Sequence, residues 1–451
     1  MPVSSITDRK IHVQPSDVHS VLSSHMLADG YDFVMDLTKS QGSWVFDSRR
    51  GRKLLDFFSN FASCPIGYNH PRLMTEEFRE RLLAASINKP ANSDIYTTQM
   101  AEFVDTFARL ALPHSHSKHL FLIEGGAAGI ENALKAAFDW KVRKNFKRGI
   151  KEERGRQILH LKEAFHGRTG YTLSLTNTAD PRKTQYFPKF DWPRIVNPKL
   201  TFPASDASLA DVERLEDESI AQAKKFLHER KDDIAAFIME PIQGEGGDNH
   251  FRPEYFRKVR QLCDENEMLL IFDEVQSGVG VTGKMWSFQH FGVEPDLFAF
   301  GKKTQVCGFA SNGRIDEIED NVFTVSSRIN STWGGNLTDM VRSQRYLEII
   351  AEERVVENVA TVGKHFLTGL EAIGQQFPGM LTNVRGRGLM CAFDLPSAEI
   401  RDKTIKEMAK NDMIVLSSGQ RSIRFRPALT LSADEASEGL QRIESSIRQI
   451  A

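Results

Sequence analysis

Five short apolar runs carry no polar alternation: His119 to Ile123, Ile158 to Leu161, Ile234 to Met239, Met268 to Phe272 and Asp296 to Phe300. A strand with one wet face alternates, because successive side chains point to opposite sides of a sheet. Runs without alternation are expected of strands covered on both faces, the situation of parallel sheets with crossover helices above and below. Between about Leu55 and Gly335 such runs alternate with amphipathic stretches, so the pattern predicts an α/β unit built on a mostly parallel sheet. Each run is followed at once by glycine, a charged residue or both. In open α/β sheets the ligand crevice lies outside the carboxyl ends of the strands, so these residues are expected to converge on one site.

From Thr338 onward the pattern changes. Helical periodicity in Val341 to Glu353 and Val356 to Phe377 precedes strands expected at Gly388 to Leu395 and Ile414 to Ser417. Arg421 to Arg426 alternates charged and apolar positions, and a last helical stretch, Ser432 to Ile450, follows. A chain of 451 residues exceeds what one hydrophobic core usually serves. The expected division is a large ligand-binding domain, 56–337, and a smaller α+β domain, 338–451, beside which the N-terminal segment, 1–55, packs.

Charge narrows the class of ligand. With 58 Lys+Arg against 60 Asp+Glu the formal net charge is -2, and no dense basic block occurs, so neither nucleic acid nor an anionic membrane is expected as a partner. The ligand is expected to be small. The four cysteines, Cys64, Cys263, Cys307 and Cys391, are scattered without C-x-x-C or Cys/His spacing, which argues against a disulfide framework or a structural zinc and fits a reducing cytoplasm. Met1-Pro2-Val3-Ser4-Ser5 carries no basic leader pattern, and no apolar run approaches the roughly 20 residues of a membrane span.

Two of the strand ends carry unusual chemistry. Gly301-Lys302-Lys303 follows one run, and Asp273 ends another about thirty residues earlier. A lysine and an aspartate so placed suggest pyridoxal phosphate: the amine holds the cofactor as a Schiff base, and the carboxylate keeps the pyridine nitrogen protonated so that the ring accepts electrons. Glu124-Gly125-Gly126-Ala127-Ala128-Gly129 separates the first run from an expected helix, Ala127 to Trp140, whose Ile130, Leu134, Ala137 and Phe138 share a face. Small residues let backbone N–H groups at a helix N-terminus approach a phosphate. The loop lacks the G-x-G-x-x-G spacing and the G-K-[ST] ending, which disfavours dinucleotides and nucleoside triphosphates; alone, it fits a plain strand-to-helix turn equally well. Asp273 and Glu274 are neighbours on a strand and face opposite ways, so they do not form a metal-binding or glycosidase carboxylate pair. Asp273 alone also fits a solvated strand end, and either lysine a solvated loop. Only the combination of Gly126, Asp273 and Lys302 singles out the cofactor.

Longer motifs add a resemblance. Asp273-Glu274-Val275-Gln276-Ser277-Gly278, followed by Pro295-Asp296 and a lysine seven residues after Pro295, resembles the signature of the class III (ω-amino acid) aminotransferases, and the match selects Lys302 over Lys303. Gly125-Gly126-Ala127, Phe165-His166-Gly167-Arg168-Thr169-Gly170, Glu240-Pro241-Ile242-Gln243-Gly244-Glu245-Gly246-Gly247 and Ser331-Thr332-Trp333-Gly334-Gly335-Asn336 resemble further landmarks of that family in the same order. The resemblance implies the fold type I architecture of pyridoxal-phosphate enzymes, with the cofactor in the large domain. It implies that Lys302 binds the cofactor and later moves a substrate proton, that Asp273 pairs with the pyridine N–H, and that Gln276 reaches the phenolic oxygen. Phe165 would stack on the ring, while Gly126, Ala127 and Thr332 of a second copy would hold the phosphate, which implies a homodimer with shared sites. His166 receives no role.

Arg168 and Arg424 are the expected carboxylate receptors, since a guanidinium fork matches a carboxylate with two parallel hydrogen bonds. By the resemblance, Arg424 takes a carboxylate of 2-oxoglutarate, and Glu245 covers that arginine while an amine donor is bound. Asn88 to Asp94, Ser174 to Thr178, Phe187 to Ile195 and Gly301 to Gly308 are similar to the branch of the family whose donor is the ε-amine of L-lysine. Arg168 would then hold the lysine α-carboxylate, and Asn60-Phe61-Ala62-Ser63-Cys64 would line the pocket. A 4-aminobutyrate or other ω-amino acid donor is the neighbouring alternative, and a mutase or decarboxylase of the same fold a more remote one.

Overall fold

In a computed structural model, residues 13–451 are described; the reading of Met1 to Ser5 as free of a leader pattern lies outside them. Two strands near the N-terminus, β1 (Trp44–Asp47) and β2 (Arg52–Asp56), pair antiparallel. The main sheet has seven strands: β3 (His119–Ile123), β4 (Gln157–Leu161), β5 (Arg194–Ile195), β6 (Ile234–Met239), β7 (Leu269–Asp273), β8 (Leu297–Phe300) and β9 (Cys307–Ser311). Their order is β3-β9-β8-β7-β6-β4-β5, parallel from β5 through β8, with β9 antiparallel to both β8 and β3. All five unalternating runs are strands of this sheet. β9 was not among the expected strands: Cys307-Gly308-Phe309-Ala310-Ser311 has a glycine and no β-branched residue, and its pairing comes from two long-range neighbours rather than from propensity.

Burial explains the missing alternation. Every residue of β6, β7 and β8 is buried. Phe237, Met239, Leu270, Phe272, Phe298 and Phe300 enter one apolar cluster; Ala236, Ile238, Leu269, Ile271, Leu297 and Ala299, the positions between, enter another. The second cluster is closed by Ile130, Ala133, Leu134, Ala137 and Trp140 of the helix Gly126–Lys147. The first is closed by Tyr255, Phe256, Val259 and Leu262 of the helix Pro253–Glu265, among others. Each large side chain so buried contributes roughly 1.5–3 kcal/mol, so both faces favour the same register.

The C-terminal part adds β10 (Thr382–Arg387), β11 (Met390–Asp394), β12 (Met413–Ile414), β13 (Leu416–Ser418) and β14 (Ser422–Phe425). Four of these form an antiparallel sheet, β10-β11-β14-β13, while β12 pairs in parallel with β2 and completes a sheet β1-β2-β12. The helices Leu337–Glu352, Val355–Gln376 and Ala433–Ile450 lie where periodicity predicts them, the last opened by a capping box between Ser432 and Glu435. Along β14 the alternation seen in the sequence is a true division of faces. Ile423 and Phe425 enter the apolar core; Ser422, Arg424 and Arg426 bond to Asp394, Glu245 and Asp248.

Register sets the site. Met239 pairs with Phe272 and Asp273 with Ala299, so Glu240, Asp273 and Gly301-Lys302 leave the sheet at neighbouring points of one edge. After β2, Ser59, Asn60, Phe61 and Ala62 all take positive φ (41, 53, 58 and 66°), a left-handed turn. Asp56 Oδ1 accepts from the Phe58 and Ser59 N–H groups at 2.8 Å each, and Ser59 Oγ donates to the Arg426 carbonyl. All four cysteines are unpaired. Among the described residues no helix is long and apolar enough to cross a membrane, and no cluster of His, Cys, Asp and Glu could hold a metal ion.

Candidate active site

A cavity of about 490 Å³ lies at the carboxyl edge of the main sheet. Gly126, Ala127, Phe165, Glu245, Asp273, Gln276 and Lys302, all singled out from the sequence, line it. So do His166, Glu240, Val275, Gln305, Cys307 and Asp339, and Ser63 alone of the segment Asn60 to Cys64. Three expected residues do not line it: Arg424, which reaches it through its bond to the lining residue Glu245, and Arg168 and Thr332. Arg168 is exposed, one position beyond the lining residue Gly167. Thr332 is exposed as well, its carbonyl accepting from Ser93 Oγ at 3.4 Å.

Lys302 follows β8 in the left-handed region, at φ 49°. Burial, reinforced by the Arg424 charge and opposed by Asp273, pushes its ammonium down to about 8 from an ordinary 10.5. Lys303 takes another path: its Nζ donates to the Gln276 carbonyl at 2.7 Å and it does not line the cavity. Burial and the neighbouring Lys302 charge hold it well below its ordinary value.

Asp273 closes β7 and is fixed on both oxygens. Oδ1 accepts from the Val275 N–H at 3.0 Å and Oδ2 from His166 Nδ1 at 2.8 Å. The His166 ring is fully buried, the residue's backbone N–H donates to Thr176 Oγ1, and the ring Nε2 has no partner among the described residues. Sequence reasoning gave His166 no role, and no local signal could have: 107 residues separate it from Asp273. Glu240 is a second residue whose part was missed. Its Oε1 accepts from the Phe165 N–H and its Oε2 from the Gly244 N–H, both at 2.9 Å, so it ties the aromatic loop to the loop carrying Glu245. Burial holds its carboxyl well above the usual range, with His166 opposing and Asp273 adding to the rise.

The helix Gly126–Lys147 begins at the cavity wall. A Cβ at position 126 would stand 2.9 Å from Val275 Cγ1, so only glycine lets the helix start this close to β7's extension. At Gly167, φ is +128° and a Cβ would meet the Ala127 Cβ at 2.6 Å, so the second loop also abuts the helix start.

Arg424 is buried, and its Nη2 donates to Glu245 Oε2 at 2.9 Å. Gln276 Oε1 accepts from Arg424 Nη1 at 3.3 Å and from Arg426 Nε and Nη2 at 3.1 and 3.0 Å. With the carbonyl end so engaged, the Gln276 NH₂ group is the end of the amide that has no partner among the described residues. Arg426 is held in turn by Asp248 at 2.6 Å, both fully buried. The arrangement supplies an amine that neutralises near physiological pH, an oriented carboxylate, a helix N-terminus and a covered guanidinium around one cavity.

Comparison with known proteins agrees along nearly the whole chain. The family model described as Aminotransferase class-III matches residues 26–447. An L-lysine-epsilon aminotransferase of Mycobacterium tuberculosis is 51% identical over 438 residues, covering 96% of each chain, and one of Streptomyces clavuligerus is 49% identical, covering 98% of this chain and 96% of the other. A mitochondrial 4-aminobutyrate aminotransferase of Mus musculus is more distant, 33% identical over 89% of this chain and 82% of its own. The solved lysine aminotransferase from M. tuberculosis in the internal aldimine form superimposes with a TM-score of 0.95 at 50% identity, covering 97% of this chain and 100% of that one.

Proposed function

Because the chain belongs to the class III aminotransferases, with the fold type I architecture of that family, we propose that it transfers the ε-amino group of L-lysine to 2-oxoglutarate. The products are L-glutamate and 2-aminoadipate 6-semialdehyde, which cyclises to piperideine-6-carboxylate. The observation that carries the choice of donor is the likeness to L-lysine-epsilon aminotransferases, which runs almost end to end and exceeds that to 4-aminobutyrate aminotransferases. The Glu245–Arg424 pair supports the acceptor, since a mutase or decarboxylase has no dicarboxylate to receive.

The residues present fit pyridoxal phosphate. Lys302 offers an amine held near neutrality, Asp273 a carboxylate braced by His166 and Val275, and the helix start at Gly126 and Ala127 a phosphate cradle kept open by glycine. When bound, the cofactor supplies an aldehyde for the amine and a ring that takes up the electron pair released from the substrate carbon. Lys302 would hold the cofactor through its amine, and that amine in its neutral form would take the proton from the substrate carbon. Asp273 would keep the pyridine nitrogen protonated, Phe165 would cover one face of the ring, and the Gln276 NH₂ would donate to the phenolic oxygen. Arg168 holds the α-carboxylate of lysine, so the distal amine is the one presented. Arg424 receives a carboxylate of 2-oxoglutarate after Glu245 withdraws, and Glu245 restores neutrality while lysine is bound.

In this reading the enzyme is a homodimer, with Thr332 of each copy completing the phosphate site of the other. Ile87, Ile95, Tyr96 and Trp333, large apolar residues exposed on and around the paired segments 88–95 and 331–336, support such an interface. Residues 56–337 act as the cofactor domain and 338–451, with 1–55, as the domain over it. Four unpaired thiols suit a reducing cytoplasm.

The visible spectrum of the purified holoenzyme tests this function. L-lysine alone is expected to bleach the yellow cofactor band and 2-oxoglutarate to restore it, while Lys302→Ala loses both responses and keeps the fold. Bleaching by 4-aminobutyrate or L-ornithine but not by L-lysine would move the donor within the family.

A further inference from the structure

Glu245 is the one described residue shared by the walls of two neighbouring cavities. One is the cavity that holds Lys302; the other, of about 740 Å³, is walled by Arg182, Lys183, Arg401 and Arg421 among others. The carboxylate divides its oxygens between them: Oε2 accepts from Arg424 and Oε1 from Lys183 Nζ. Its backbone is clamped. The Glu245 carbonyl accepts from the Gly419 N–H at 3.0 Å, Ser418 Oγ donates to the Gly244 carbonyl at 2.7 Å, and a Cβ at 246 would stand 2.2 Å from the Glu163 carbonyl oxygen. Freeing Arg424 for another carboxylate is therefore a rotation of the Glu245 side chain about a fixed main chain.

That rotation turns the carboxylate toward the second cavity, where it needs a cation, because a partly buried charge separated from its partner is costly. The arginines there are already engaged. Arg182 donates to Asp180 through Nε and Nη2 at 2.9 and 3.0 Å, Arg401 to the Gln420 carbonyl at 2.7 Å and to Asp402, and Arg421 lies 3.8 Å from Asp394. Among the described residues, the Lys183 amine donates to Glu245 and to nothing else.

We propose that Lys183 is the positioning residue that holds Glu245 in its withdrawn state while the acceptor's carboxylate occupies Arg424. The proposal rests on the reading above, that Arg424 alternates between Glu245 and a dicarboxylate. Its effect is one-sided. With the donor bound, Arg424 retains Glu245 whether or not Lys183 is present. With the acceptor bound, Lys183 is the remaining counter-charge, and without it the covered state of Arg424 is favoured.

Single-turnover absorbance on the holoenzyme separates the two half-reactions. Lys183→Met is expected to raise the 2-oxoglutarate concentration giving half-maximal rate by about fivefold, the scale of a partly exposed ion pair, and to leave the dependence on L-lysine unchanged. Lys183→Arg restores the wild-type value, and Lys183→Met adds nothing further in a Glu245→Gln background. Equal slowing of both half-reactions, an unchanged 2-oxoglutarate dependence, or a full additional loss in the Glu245→Gln background would each overturn the proposal. A wild-type enzyme that reacts with L-lysine but not with 2-oxoglutarate would instead overturn the function itself, and the role of Lys183 with it.

Discussion

At the residue scale, His166 and Lys302 show what contact geometry adds to spacing. The resemblance to the family signature, with its lysine seven residues after Pro295, selects Lys302 over Lys303, and the two side chains diverge, one into the cavity and one onto the Gln276 carbonyl. Nothing local marks His166 as the brace of Asp273, because that hydrogen bond exists only after β7 and the loop beyond β4 have met. Removing it in His166→Phe leaves Asp273 with the Val275 N–H alone. A hydrogen bond to a charged group contributes roughly 1.5–3 kcal/mol, so kcat is expected to fall on the order of tenfold or more, with partial recovery in His166→Asn. Steady-state kinetics at saturating substrates measures it. Lys302 carries a pH signature. Its neutral form, the one that bonds to an aldehyde, dominates above about 8 rather than above the ordinary 10.5. Cofactor uptake by the apoprotein, followed by the growth of its visible band, should accelerate as pH rises through 8 and level off above it. A rate still climbing toward 10.5 would mean that burial does not neutralise this amine.

At the scale of elements, legibility followed burial. β6, β7 and β8 were readable because both their faces are covered, and β14 because its faces divide cleanly between core and arginine layer. β9 and β10 were not. Thr382-Asn383-Val384-Arg385-Gly386-Arg387 is polar and carries a glycine, and it is a strand because β11 pairs with it, with Arg385 bonded to Asp394. The helix start at Gly126 was readable only as a small-residue loop, and the structure adds the reason for its size. Gly126→Ala drives a methyl group to within 2.9 Å of Val275 and should push the helix N-terminus away from the cavity. Weaker cofactor retention is expected in dialysis or fluorescence titration. Gly126→Ala with Val275→Ala should regain most of it; failure of the pair to recover would show that the neighbouring side chain is not what sets the spacing.

At the scale of the molecule, the three sheets are tied by pairings that run across the whole chain. β2 and β12 lie more than 350 residues apart, and the single strand expected at Ile414 to Ser417 is split, Met413-Ile414 pairing with β2 and Leu416 to Ser418 with β14, a division no local pattern marks. The placement of Thr332 outside its own cavity bears on assembly, and mixing subunits tests the shared site. Lys302→Ala and Thr332→Glu chains, each inactive alone, should regain activity when refolded together, because one site of the mixed dimer receives an intact Lys302 from one chain and an intact Thr332 from the other. If Thr332 serves its own chain, every site in the mixture keeps one defect and no activity returns.

The left-handed turn at Ser59 to Ala62 has a consequence in time. Each L-residue held in that region costs about 1–2 kcal/mol, so the turn does not persist on its own and depends on groups that hold it from outside. Besides Asp56, those groups are late in the chain: the Ile414 carbonyl takes the Phe57 N–H, the Phe57 carbonyl takes the Arg426 N–H, and the Arg426 carbonyl takes Ser59 Oγ. A chain growing from its N-terminus would thus carry Asp273 and Lys302 long before it could seat Ser63 against them. The cavity gains its last wall only when residues 414–426 have been made and docked, so a ribosome-bound chain that stops short of them holds the reactive groups without a finished pocket.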